Sequence, residues 1–285
     1  MKTAAAPLAA PACGTGVLPL VQTVVCPRAR GLSVRLNLTP DGACNFDCVY
    51  CDVRRNPAPG GPMRPDVGRM MDGLAAALEV IRAGRAREEL PGLAGAPEEY
   101  LRLGQVALSG TGEPTLCPIF EEVVHAVLHL RAGGRFGFFK LALVTNSSNL
   151  HDPQVRRSLR LFTPQDEIWA KLDAGSADWY RQVNRPQVPY EVVLDGITGL
   201  GRERPLVIQS LIPRLSGRGM PVREQEAYVQ RLAQLRQAGA RIDFVQVYSA
   251  HRPPVLRTCT HAALSELSAL ARRVRDLAGI PAGVF

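Results

Sequence analysis

Lysine is nearly missing from this chain. Of its 34 basic residues only Lys2, Lys140 and Lys171 are lysines; the rest are arginines, in a sequence also rich in Ala, Gly and Pro. The net charge of +8 therefore reflects composition as much as function. A positive field does favour anionic partners, and residues 201–241 carry eight Arg against three Glu. No recognisable nucleic-acid module accompanies that charge, so RNA stays a candidate partner only. Long apolar runs are also missing, although 46% of the residues are hydrophobic, which argues against a transmembrane helix and for a soluble protein with no membrane partner. Four of the seven cysteines, Cys13, Cys26, Cys117 and Cys259, are scattered without framework spacing, as expected of a reducing, cytoplasmic setting. His125 and His129 stand four apart, but no HExxH surrounds them, and opposite Phe120, Val123 and Val127 they read as a solvated helix face.

The remaining three cysteines are close together. Cys44, Cys48 and Cys51 fall within eight residues, in a loop following a strand-like run. Three thiolates are an incomplete set, because a structural zinc ion and an ordinary cubane each take four protein ligands. One coordination position is thus left for something else. The residues by themselves also admit zinc with a distant fourth ligand, an iron–sulfur electron carrier without catalysis, or a zinc-stabilised RNA-binding protein.

Periodicity places this loop in an α/β frame. The Ala/Pro-rich opening has one basic residue and a short, proline-interrupted apolar core, so it reads as a partly disordered extension over residues 1–30 and not as an export signal. Residues 33–38 alternate as a first strand, and a Pro/Gly-rich connector over residues 56–64 follows the cysteines. Asp66 then caps a helix carrying Val67, Met70, Leu74, Leu78 and Ile81. Further strands are expected at residues 105–109, 141–146, 167–173, 206–212 and 242–248, with helices between them. Six βα units are too few for a closed barrel of eight, which predicts a partial (β/α)6 barrel over residues 31–250. Residues 251–285 supply a last helix and tail packed on that core. The βα loops at the carboxyl ends of the strands are the expected active face.

Several residues at those ends carry chemistry. Ser-Gly-Thr-Gly-Glu-Pro-Thr at residues 109–115 closes strand two, where Gly110 and Gly112 allow close backbone approach and Glu113 offers a carboxylate to an ammonium. Asn146 closes strand three and can bond a ribose hydroxyl or form an Asx turn. In strand four, alternation places Trp169, Lys171 and Asp173 on one face, where a Lys and an Asp require a partner or a ligand. Gln209, Gln246, Arg185, Arg214, His251 and Arg252 are further candidate substrate contacts.

CxxxCxxC with an aromatic before its last cysteine, followed one βα unit later by GxGEP, resembles the radical S-adenosylmethionine (SAM) superfamily over about residues 31–249. The departure is Thr111, where the family's glycine quartet has Gly. The resemblance implies a partial barrel of radical SAM type and a [4Fe-4S] cluster on Cys44, Cys48 and Cys51 whose fourth iron takes SAM. It also implies an external one-electron donor and reductive cleavage to a 5′-deoxyadenosyl radical. Gly110, Gly112 and Glu113 would face the methionine amino group, Asn146 the ribose and Tyr50 the adenine. Lys171 would meet the SAM carboxylate or substrate, and Asp173 the ribose or substrate. SGxGEPT, VTN, KLDAG and a later NRP most resemble the branch containing the wyosine-tRNA synthases, yet Cys13 and Cys26 do not complete the second cluster's ligands. The reaction is thus unassigned, with an RNA loop, a glycyl-radical or other protein, or a small metabolite as the candidate substrate.

Overall fold

The computed structural model describes residues 19–53, 63–250 and 252–285. Residues 1–18 of the Ala/Pro stretch with Cys13, most of the Pro/Gly connector, and His251 lie outside the described residues. Strand β1 (Val21–Cys26) runs antiparallel to β2 (Gly31–Asn37). Parallel to β2 come β3 (Leu103–Ser109), β4 (Leu141–Thr145), β5 (Glu167–Lys171) and β6 (Leu206–Leu211). A small two-stranded antiparallel sheet, β7 (Pro213–Leu215) with β9 (Cys259–His261), stands apart, while β8 (Ile242–Tyr248) pairs with β6 and takes β10 (Ala282–Val284) on its far side. The eight-stranded sheet has the order β1-β2-β3-β4-β5-β6-β8-β10 and curls into a partial barrel.

The six parallel strands are those expected from the sequence, with two edge strands added. β1 begins before Gly31, where the core had been expected to start. Pro27, which obscured the periodicity there, lies in a 3-10 turn (Pro27–Ala29) that reverses the chain instead of ending the structure. β10 has three residues, too few to show a period.

Helices cover the outer face. These are α1 (Val67–Arg82), α2 (Ala86–Glu89), α3 (Phe120–Ala132), α4 (Pro153–Leu159), α5 (Ala177–Asn184), α6 (Tyr190–Glu203), α7 (Val222–Gln237) and α8 (Leu264–Arg273). Asp66 caps α1 by accepting from the Arg69 amide at 3.0 Å, and Met70, Leu74 and Leu78 are buried beneath it. Between β5 and β6 the structure has two helices, α5 and α6, where one βα unit needs one; Tyr190, Val193, Ile197 and Leu200 carry the helical period of α6 and are buried as it demands. His125 and His129 are exposed on α3.

Alternation divides each strand between two environments. Ile168, Ala170 and Leu172 join the core beneath the helices, whereas Trp169 turns inward to pack with Val144 and Val207 against Cys26 and Ala29. The β1–β2 connection thus supplies part of the floor of the barrel.

Near the amino ends of β4 and β5 the two strands are tied by one carboxylate. Asp166, whose side chain is fully buried, accepts from both terminal nitrogens of Arg131 at 2.7 and 3.0 Å, from the Leu141 amide at 2.7 Å, and from the Thr163 amide and hydroxyl at 2.7 and 3.0 Å. Burial alone would raise its pKa, but these donors outweigh burial and hold it below the usual carboxylate value. The stabilisation is therefore present above the ordinary carboxylate pKa and is lost as pH falls through the depressed one. Arg131→Leu leaves the charge uncompensated and is expected to cost about 3–5 kcal/mol in urea unfolding at neutral pH. The difference from wild type should shrink in acid as Asp166 takes up its proton.

Candidate active site

The cysteine loop leaves the carboxyl end of β2 and is held by backbone on two sides. On one side the Glu113 amide donates to the Ala43 carbonyl at 2.9 Å, and the Gly112 amide to the Thr39 hydroxyl at 2.8 Å. An added Cβ on Gly112 would overlap the Ala43 carbonyl oxygen, and one on Gly110 would overlap the Thr39 hydroxyl. The close approach these glycines permit is therefore to the cysteine loop itself. Thr111, at the departure from the glycine quartet, is fixed by Asn37, which accepts from its amide at 2.9 Å and donates to its hydroxyl at 2.9 Å.

On the other side the loop rests on the end of α5. The Val49 amide donates to the Val183 carbonyl at 2.9 Å, the Asp47 amide reaches the Asn184 carbonyl at 3.2 Å, and the Gln187 amide returns to the Asn45 carbonyl at 2.9 Å. Arg185, in the left-handed region at φ 44°, turns the chain there and pairs with Asp47 at 3.5 Å. The Asn-Arg-Pro run noted in the sequence is thus the cradle of the cysteine loop. α5 is anchored in turn by Glu224 of α7, which accepts from the Gly175 amide at 2.6 Å and the Ser176 hydroxyl at 2.6 Å.

Two of the sulfurs face N–H donors. Asn184 Nδ2 lies 3.5 Å from Cys48 Sγ, and Cys44 Sγ is 3.4 Å from the Phe46 amide and 3.7 Å from Asn146 Nδ2. Burial, reinforced by Asp173, pushes the Cys48 thiol up to about 12. Among the described residues no three His, Cys, Asp or Glu side chains surround a point that one metal ion could fill. A cubane makes a different demand, since each thiolate takes its own iron. Three thiols on one loop, with amides directed at two of them, suit that donor set.

The side chains predicted as contacts form two groups. Glu113 is buried and accepts from the Thr115 amide and hydroxyl at 3.1 and 2.6 Å, the Thr145 hydroxyl at 2.7 Å and the Asn146 amide at 2.6 Å. Burial raises its pKa, and these donors work against the rise. Its carboxylate fixes the end of β4 to the glycine loop, and Asn146 reaches from there to Asn45 Oδ1 at 2.9 Å.

The second group centres on Asp173, just beyond the end of β5. Oδ1 accepts from the Leu211 amide at 2.8 Å and pairs with Lys171 Nζ at 3.3 Å; Oδ2 accepts from Asn184 Nδ2 at 2.8 Å and from the Tyr50 hydroxyl. Both oxygens are therefore occupied within the protein. Lys171 also donates to the Tyr248 hydroxyl at 3.1 Å and lies 5.0 Å from the centre of the Tyr50 ring. Burial would lower its pKa, but Asp173 and Tyr248 hold it above the usual lysine value, so it stands as an ammonium. Tyr50, expected to stack on a ligand, is buried with its hydroxyl joined to Asp173 and Asn184, the latter at 3.1 Å.

The outer candidates separate. Gln209 Nε2 donates to Gln246 Oε1 at 2.8 Å inside the barrel, Arg214 pairs with Glu266 at 2.9 Å, and Arg252 with Asp52 at 3.1 Å. Asn184, Tyr248 and Thr145 were not foreseen. Asn184 stood in the Asn-Arg-Pro run without a role, while the other two required the strand register.

Comparison with solved structures sets this arrangement beside known ones. Streptococcus suis SuiB bound to S-adenosylmethionine superposes with a TM-score of 0.62 at 11% identity, covering 91% of this chain and 52% of that one. TYW1 with a lysine-pyruvate adduct gives 0.54 at 18% identity over 87% and 74% of the two chains, and HydG from Carboxydothermus hydrogenoformans 0.54 at 14% over 88% and 52%.

The fold is that of the radical SAM enzymes.

In sequence the chain is 32% identical to the UPF0026 protein slr1464 of Synechocystis sp. over 174 residues, which are 59% of this chain. It spans about half the length of that relative, 55%, and of SuiB. No protein-family model matches the chain. Among the described residues no helix is long and apolar enough to cross a membrane.

The radical SAM fold thus presents its cysteine loop on α5, with Asn184 joining that loop to Asp173. Replacing Asn184 by Leu keeps the volume and removes the amide. The expected cost is about 1–3 kcal/mol in urea unfolding, because Asp173 and Tyr50 lose a buried partner. Ser176→Ala should cost about 1–3 kcal/mol, because it removes the cap of α5 and a donor to the buried Glu224 carboxylate.

Proposed function

We propose that the chain is a radical SAM enzyme in which Cys44, Cys48 and Cys51 hold a [4Fe-4S] cluster that leaves one iron for SAM. The observation that carries this reading is the cysteine loop itself, clamped by the glycine loop and the end of α5 at the carboxyl edge of a barrel of that fold. Such a cluster, when bound and reduced by an external donor, supplies the electron that breaks a C–S bond of SAM to give a 5′-deoxyadenosyl radical.

The chain's own residues bind and orient. Lys171, cationic and with 17% of its side chain exposed, is proposed to hold a carboxylate of SAM or substrate. Asp173 positions Lys171, Tyr50 and the backbone at Leu211 and is proposed to act through them. Glu113 is proposed to set the SAM subsite by fixing Thr145, Asn146 and the turn through Gly110 and Gly112, leaving Asn146 at the rim. The N–H groups facing Cys44 and Cys48 would temper the negative charge of liganded sulfur.

Anaerobic reconstitution with iron and sulfide, followed by dithionite and SAM, is expected to yield 5′-deoxyadenosine. Cys44→Ala, Cys48→Ala and Cys51→Ala should each abolish it together with the iron–sulfur absorption. Lys171→Met is expected to keep that absorption and lower SAM cleavage by roughly a hundredfold, as a lost charge-assisted contact would. Full cleavage by Lys171→Met would remove its role, and a colourless protein after reconstitution would overturn the reading.

A further inference from the structure

The interior of the barrel contains more positive charge than its carboxylates offset. On β2, Val34 and Leu36 belong to the core beneath the helices, so Arg35 turns to the opposite, inner face with Ser33, which meets Gln105 of β3 at 3.3 Å. Arg28, in the turn between β1 and β2, enters the same space. Its guanidinium carbon lies 4.2 Å from the centre of the Tyr248 ring and 5.8 Å from that of Trp169. The Tyr248 hydroxyl receives Lys171 Nζ at 3.1 Å, so Arg28 and Lys171 bracket one ring. Burial lowers the pKa of Arg35 first; Cys26 and Asp52 work against that, while Arg28 and Arg252, both near enough to oppose its charge, add to the lowering.

The carboxylates in reach are already engaged. Asp52 pairs with Arg252, Asp173 with Lys171, and Glu167, on the inner face of β5, accepts from Lys140 at 2.9 Å and from the Trp169 indole at 2.7 Å. Arg28 Nη1 is fully buried and has no hydrogen-bond partner among the described residues. A buried guanidinium nitrogen without an acceptor is costly, and ring faces supply no directed acceptor for it.

We propose that this floor is a subsite for an oxyanion, in which Arg28 and Arg35 grip the terminal carboxylate or phosphate of a small-molecule substrate lying beneath Lys171. The guanidinium fork suits either group, since both present two coplanar oxygens to paired N–H donors. The depth selects a small molecule over a nucleic acid. The Arg28 guanidinium lies 4.2 Å from the centre of the Tyr248 ring and 5.8 Å from that of Trp169, beside the cluster of Cys26 and Ala29, so a ligand must enter the barrel to reach it, which favours a chain-terminal anion over a continuous phosphodiester backbone. The inference rests on the proposed radical SAM reading for its view of the barrel as a substrate chamber, but the anion site itself needs neither SAM nor electrons.

Calorimetry on the anaerobically purified protein, titrated separately with malonate, inorganic phosphate and a single-stranded RNA oligonucleotide, tests it. One saturable site for malonate or phosphate is expected, the tighter probe naming the group. Arg28→Met and Arg35→Met should each weaken it at least about tenfold. Arg28→Met should also raise the ligand-free melting temperature, because a buried charge without an acceptor is removed. A purely structural arginine, held by its rings, would lower it. Should either variant fail to fold, Arg28→Lys and Arg35→Lys keep the charge while losing the fork, and they too should weaken binding. No saturable site for either small anion, binding by RNA alone, or anion binding untouched in the Arg28 and Arg35 variants would overturn the proposal. Anion binding without 5′-deoxyadenosine formation would instead sink the radical SAM reading and leave the subsite standing.

Discussion

The structure depends above all on how the cysteine loop is gripped. A stretch of eight residues that carries three thiols has no core of its own, so its shape must come from neighbours that satisfy its backbone. The Ala43 carbonyl takes the Glu113 amide on one flank, and the Val49 and Asp47 amides find carbonyls of Val183 and Asn184 on the other. The first contact requires glycine at 112, since any side chain would occupy the space of the carbonyl. The second requires α5 to stop at Asn184, which the left-handed turn at Arg185 accomplishes. Cysteine loop, glycine loop and helix end thereby become one mechanical unit.

A second constraint is electrostatic. Asp173 stands where cysteine loop, β5, the end of β6 and α5 meet, and its four partners come one from each. In a medium of low polarisability such a carboxylate is tolerable only when fully partnered, and once partnered it holds several elements in register. Lys171 gains from this a lasting positive charge and a fixed position. Arg28 differs, since its buried Nη1 has no hydrogen-bond partner among the described residues.

The framework was largely legible from the sequence. Period-two and period-3.6 patterns located the six parallel strands and α1, α3, α7 and α8, because burying one face of each element imposes those spacings. What escaped was short or interrupted: β10, with three residues, and β1, whose strand is followed at once by Pro27. Between β5 and β6 the helical period at Tyr190, Val193, Ile197 and Leu200 belongs to α6, while α5 has eight residues, too few to mark a second helix by period alone. Of the site, the residue types were visible but their partners were not. Glu113 and Asp173 accept several hydrogen bonds from the protein, and the Tyr50 hydroxyl joins Asp173, partners that no sequence spacing reveals.

By itself the sequence determined the parallel α/β layout and the grouping of three thiols at the end of the first barrel strand, since both follow from local spacing. Only the tertiary structure decided that Asn184 reaches Cys48 across 136 positions of chain and that Arg28 comes to rest against Tyr248. Those contacts depend on strand register and on the curl of the sheet, which bring distant residues within hydrogen-bonding range through the packing of the whole domain and leave no periodic mark in the sequence.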